Sequence, residues 1–215
     1  MGAVCHPVGL SYFIGNTLFP RASRTAPSTE LVESIVLSTV AIVLVAIVMA
    51  PQYFSHLNFP ALWFYPAAVL LGPLCIAFEY LINGLYIYLR EGAFPKRFKI
   101  HSAWARCSDL RHMTLVFFIV AGEELIFRQM MFSMLSGYFG CSFLQILLIT
   151  SLLYGLNHIF MGFGTTSTKF FTGMIYGSVF YASGSAIIVP IIIHYVQNIL
   201  LLRPQWIVKD YAVYS

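Results

Sequence analysis

Residues Met113–Ser136 read MTLVFFIVAGEELIFRQMMFSMLS: a run of apolar residues long enough for a spanning helix, with Glu123, Glu124 and Arg128 in its middle. A helix needs about 20 mostly apolar residues to cross a bilayer. An ionisable group at that depth costs several kcal/mol, so it usually has a partner or a task. The spacing offers Arg128 a partner. Glu124 and Arg128 stand at i and i+4, on one helix face, and can pair. Glu123 is turned about 100° away and is left to address a different helix.

Outward from this stretch the apolar runs recur. The first is about Leu31–Ala50, stopped by Pro51, and the second about Pro60–Leu89, with Pro66 and Pro73 as expected kinks. A shorter second span behind an interfacial segment with Trp63 and Tyr65 is the alternative. After the third span, ended by Gly137, come runs at about Cys141–Met161, Lys169–Ala182 and Ala186–Leu202, the last stopped by Arg203-Pro204. Pro190 falls in a first turn, where proline is tolerated. The expected fold is therefore all-α, a polytopic transmembrane helix bundle of about six spans. The expected domains are a cytoplasmic N-terminal segment (1–30), N-terminal helices with a basic loop (31–112), a membrane core (113–202) and a cytoplasmic tail (203–215).

Composition agrees. The chain is 59% hydrophobic and 9% charged, with mean hydropathy +0.81, against about 25% charged residues in a soluble domain. The net charge of +4 is a matter of membrane orientation, and nucleic acid is not an expected partner. With six spans, Arg21, Arg24, Arg90, Lys96, Arg97, Lys99, Arg106, Arg111, Lys169, Arg203 and Lys209 all fall on one side. The positive-inside rule makes that side, with both termini, cytoplasmic. The first thirty residues lack a signal-peptide apolar run, and Arg21 and Arg24 follow their apolar part, so no cleavable signal is expected. Cys5, Cys75, Cys107 and Cys141 are scattered without metal-like spacing, and no structural disulfide is expected.

Other polar groups interrupt the apolar runs: Glu79 in the second, Tyr154 and His158 in the fourth, His194 and Asn198 in the sixth. Tyr154 and His158, and likewise His194 and Asn198, are spaced i and i+4. Glu123 lies about ten residues, or about 15 Å, from the cytoplasmic end of its helix. The two histidines lie nearer still, so all three are expected in the cytoplasmic half of the bilayer. A carboxylate and an imidazole suit activation of water; a second imidazole and an amide suit a developing oxyanion. Glu123, His158 and His194 are also ordinary ligands of a divalent metal such as zinc, but no HExxH pair supports that version. Glu79 is expected to pair with a polar group of the bundle. His6, His56, His101 and His112 fall in loops or near helix ends and carry no assignment.

These three motifs, EExxxR at Glu123–Arg128, an aromatic four before a histidine at Tyr154–His158, and HxxxN at His194–Asn198, together resemble the CPBP group of intramembrane proteases, also called the CAAX prenyl protease 2 or Abi family. The resemblance covers about Met113–Leu202. It implies a chamber within the bilayer in which Glu123 and His158 activate water and His194 and Asn198 form the oxyanion site. Glu124 and Arg128 would support the local architecture. The family is often labelled as metalloproteases. One departure is Tyr154, where the motif usually has Phe. The resemblance implies an intramembrane endopeptidase acting on a peptide or lipidated protein. The competing readings are a non-catalytic relative in bacteriocin immunity or scaffolding, and a small transporter with Glu79, Glu123 and His158 as a proton relay. The short loops point to a prokaryotic inner membrane, with the endoplasmic reticulum as the alternative.

Overall fold

The computed structural model describes residues 29–55, 57–94, 110–159 and 162–201. These form helices only: α1 (Thr29–Met49), a 3₁₀ turn (Pro51–Tyr53), α2 (Phe64–Glu91), α3 (Leu110–Glu124), a π-helical turn (Leu125–Met130), α4 (Met131–Gly137), α5 (Phe143–Leu156), α6 (Phe163–Ala182) and α7 (Ile188–Leu201). The stretch from α3 to α4 is one continuous rod, so the helices make six rods, as the apolar runs imply.

Local chemistry sets the ends. Gly92 terminates α2 in the left-handed region at φ 72°, its N–H donating to the Tyr88 carbonyl at 2.8 Å. Pro66 sits harmlessly in the first turn of α2, while Pro73 lies inside it. Ser142 opens α5, its N–H donating to Gln145 Oε1 at 2.9 Å.

The bundle is turned inside out relative to a soluble protein. Its interior holds Glu123, Glu124, Arg128, His194 and Gln197, all buried, while Leu37, Leu62, Leu70 and Leu89 stand mostly exposed on its outside. Such a surface suits lipid rather than water. By length and hydropathy, Phe64–Glu91 is the single helix among the described residues that can cross a membrane alone; Ile35–Met49, Phe143–Leu156 and Ile188–Leu201 are apolar but shorter. Fourteen residues in each of α5 and α7 give about 21 Å of helix, short of a hydrocarbon core of about 30 Å.

Where the exterior is apolar, helices associate through close packing of small residues. The α5–α6 contact is built this way. A Cβ on Gly173 would stand 3.1 Å from Tyr154 Cδ1 and 3.2 Å from Ser151 Cα, and one on Gly177 would stand 2.7 Å from Leu147 Cδ1. Across the same seam a Cβ on Gly155 would reach the Thr166 carbonyl at 2.8 Å. Gly72 plays this part between α2 and α7, against Val196, and Gly122 between α3 and α1, against Thr39.

Two expected boundaries are corrected. The fifth run begins at Phe163, not Lys169. Its Thr residues extend the helix instead of forming a turn, because their hydroxyls donate back to carbonyls four residues earlier: Thr166 to Gly162 at 3.1 Å, Thr168 to Gly164 at 3.1 Å. Lys169 is therefore a helix residue, not a loop charge. The fourth run ends at Leu156, not Met161. The chain tightens there, the His158 N–H donating to the Gly155 carbonyl at 2.9 Å, and His158 lies in the turn beyond the helix. Of the basic residues used for orientation, Arg21, Arg24, Lys96, Arg97, Lys99, Arg106, Arg203 and Lys209 lie outside the described residues, as do Cys5, Cys107, His6, His56 and His101. Cys75 and Cys141 are free thiols.

Candidate active site

The π turn decides what the third rod presents. The Met131 N–H reaches the Ile126 carbonyl five residues back, which admits an extra residue into one turn. Such turns recur at functional sites. Ile126, Phe127, Arg128 and Gln129 are buried in succession, more than one face of a regular helix can hide at about 100° per residue.

Arg128 fills the centre of the bundle. Its Nε lies 3.2 Å from Glu124 Oε2, and its Nη2 donates to the Gly173 carbonyl at 3.2 Å. Its guanidinium carbon stands 4.6 Å from the Tyr154 ring centroid and 5.4 Å from that of Tyr176, so two aromatic faces share the cation. The i, i+4 pairing expected from sequence is present.

Glu124 does more than hold Arg128. Its other oxygen, Oε1, accepts from His194 Nδ1 at 2.8 Å. With that proton placed, the chemistry of the ring falls to Nε2. This atom lies 3.8 Å from Glu123 Oε2 and 3.5 Å from the Tyr154 hydroxyl. Glu123 thus points across to α7, away from the Glu124–Arg128 pair, and meets His194. The carboxylates of two adjacent residues address the two nitrogens of one imidazole.

His158 is fixed differently. Its Nδ1 lies 2.9 Å from the Tyr154 carbonyl. A carbonyl only accepts, so Nδ1 carries the proton and Nε2 the lone pair. The ring is buried, 5.1 Å from the Tyr154 ring. Asn198 is half-buried and joins none of these hydrogen bonds. The fully buried amide on this face of α7 is Gln197, whose Oε1 accepts from the Tyr176 hydroxyl. Sequence reading passed over Gln197 and Tyr176. The signal for Gln197 was available: an amide three residues from His194 inside an apolar helix. Tyr176, one of many aromatics in the chain, carried none; its ring lies 5.1 Å from that of His194.

Glu79 leads a second cluster, joined to the first through the Gln197 side chain. Its Oε1 accepts from Lys169 Nζ at 2.8 Å and from the Thr172 hydroxyl at 3.1 Å. This tie between α2 and α6 is the polar partnership expected for Glu79.

A divalent cation needs three or more convergent donors. No group of three His, Cys, Asp or Glu side chains among the described residues is placed to hold one. Both imidazoles have Nδ1 engaged, which leaves Nε2 of each as the nitrogen a metal would use. Glu123, His158 and His194 are the residues that would have to converge for such a site, through one carboxylate and two Nε2 atoms.

An all-α bundle with an apolar exterior and an acid–imidazole cluster sealed inside defines a membrane-embedded helical domain. Comparison bears on this class: residues 109–200 match the family model described as type II CAAX prenyl endopeptidase Rce1-like, in keeping with the CPBP resemblance. That family is one of membrane-embedded, CAAX-type proteases. No curated protein and no solved structure matches the chain.

Proposed function

We propose that this chain is an intramembrane endopeptidase that hydrolyses a peptide bond of a peptide or lipidated protein with water activated by Glu123. The observation that carries this reading is the pair of carboxylates on one imidazole: Glu124 on Nδ1 at 2.8 Å and Glu123 beside Nε2 at 3.8 Å. Glu123 takes a proton from water as its oxygen attacks the scissile carbonyl. His194, oriented from behind by Glu124, serves the developing oxyanion as the imidazolium, with Nδ1–H on Glu124 and Nε2–H donated to the oxyanion. Asn198, one turn further along α7, completes that donor set. When the C–N bond breaks, the proton held by Glu123 passes to the leaving amine. His158, with its lone pair on Nε2, is the second acceptor for the attacking water.

The family description names a prenyl endopeptidase, which makes a prenylated C-terminal peptide the first substrate to test. Peptide pheromones and bacteriocin leaders share the apolar character such a chamber admits. We further infer a multi-pass protein, of a prokaryotic inner membrane on the shortness of its loops, and with both termini cytoplasmic on the one-sided distribution of Lys and Arg in the sequence.

The test is Glu123→Gln in purified protein reconstituted with a fluorogenic prenylated peptide. This substitution keeps size and removes the base. Cleavage is expected to fall at least about 100-fold with unchanged folding in detergent. Cleavage at the parent rate would reject the reading.

A further inference from the structure

Tyr154 is the residue whose identity departs from the family pattern, and it touches both imidazoles of the site. Its backbone carbonyl accepts from His158 Nδ1 at 2.9 Å, and its hydroxyl lies 3.5 Å from His194 Nε2. The side chain is fully buried. Its ring packs against Arg128, at 4.6 Å, and in a T-shaped contact with Phe127, at 5.4 Å between centroids, while Gly173 lies against its Cδ1. The ring therefore has little freedom, and the hydroxyl is delivered to one place. A phenylalanine in this pocket would keep every one of those packing contacts and lose the hydroxyl alone.

We propose that the Tyr154 hydroxyl is a positioning group for the hydrolytic site. It closes a carboxylate–imidazole–phenol chain, Glu124–His194–Tyr154, that holds the His194 ring from both nitrogens. This rests on the reading of Glu123 and His194 as the reacting pair. A buried phenol both donates and accepts. It can donate to Nε2 while His194 is neutral and accept from Nε2–H if the ring becomes charged, so the ring keeps its aim in both states. The 3.5 Å separation is at the loose end of hydrogen bonding, as is common before substrate tightens a site. With Nδ1 alone anchored, the ring can rock about the Glu124 contact, and Nε2 loses its register with Glu123. The charged and titratable groups that meet His194 are Glu123 and Glu124 from the third rod, Tyr154 from α5, with His158 in the turn beyond it, and Tyr176 from α6. Of these, Tyr154 is the one whose hydroxyl reaches Nε2; the Tyr176 hydroxyl is engaged by Gln197.

The experiment compares Tyr154→Phe, Tyr176→Phe and Glu123→Gln in the full chain, with cleavage kinetics and the ring-nitrogen NMR signals of ¹⁵N-histidine-labelled protein. The His194 signals are assigned by their loss in His194→Asn. Tyr154→Phe is expected to lower kcat about 10-fold, the effect of one hydrogen bond to a polar partner, with KM unchanged. It should also move the His194 Nε2 signal and leave His158 in place, since the backbone bond survives. Tyr176→Phe should leave Nε2 where it is. Tyr154→Phe with parental kcat or an unmoved Nε2 signal overturns the proposal, and so does an equal Nε2 shift in both tyrosine variants. Retained cleavage in Glu123→Gln instead removes the hydrolytic reading itself, whatever Tyr154 does.

Discussion

Two buried polar clusters lie within this bundle, and they are balanced differently. Glu79, Lys169 and Thr172 form a set closed in charge: one acid against one base, with a hydroxyl on the same carboxylate oxygen and the Gln197 side chain beside them. Glu123, Glu124, Arg128 and His194 form an open one, with two acids for one permanent cation and an imidazole between them. Arg128 Nη1 is buried without a hydrogen-bond partner. A set balanced in charge is what joining helices requires. An open set keeps a proton acceptor in a dry interior, and that surplus is what general-base chemistry requires.

The sharpest way to break the contrast is to empty the open cluster of its cation. Arg128→Met keeps much of the apolar stem but leaves Glu124 buried beside Glu123 with only His194 to offset two carboxylates. Removing one partner of a buried pair costs about 3–5 kcal/mol, and here it also strips the Tyr154 and Tyr176 faces of their cation. The expected result is a large drop in the SDS fraction needed to unfold the protein in mixed micelles. Unfolding at the parental fraction would show that Arg128 is dispensable for the architecture.

The closed cluster should behave as a mutually dependent pair. Lys169→Met or Glu79→Met alone strands a charge and is expected to destabilise by about 3 kcal/mol, whereas the double substitution should return to within about 1–2 kcal/mol of the parent. Cleavage by the molecules that remain folded should survive all three changes. Additive losses in the double variant would show that the two side chains act independently. Lost cleavage in a folded Glu79→Met protein would make this cluster part of the chemistry.

Much of this was legible in the sequence, for a physical reason. A charge inside an apolar run is costly wherever the helices go, so Glu123, Arg128, His158 and His194 announced themselves before any packing was known. The Glu124–Arg128 pair followed from helical spacing alone. What sequence did not show is which nitrogen meets which oxygen. Glu124 was read as support for Arg128, yet its second oxygen orients His194, a contact across 70 residues of chain. The π turn was invisible because an inserted residue leaves no compositional trace. The true start of α6 was hidden by threonines, whose hydroxyls satisfy themselves inside a helix as readily as in a turn. The glycine pair Gly173 and Gly177, a small-residue seam at four-residue spacing, was readable and was passed over.

The smallest expected effect lies at the exposed end of the bundle, where Arg111 on α3 pairs with Glu33 on α1. Their side chains are 65% and 38% exposed, so solvent competes for both charges and the pair has neither the isolation of the Glu79 cluster nor the surplus of the active one. Exposed pairs contribute about 0–1 kcal/mol. Arg111→Gln is therefore expected to shift the unfolding midpoint slightly and to leave kcat untouched, and added salt should erase even that shift, since mobile ions screen exposed charges. A salt-insensitive loss comparable to that of Lys169→Met would place this pair among the buried ties and dissolve the graded contrast between surface, clip and site.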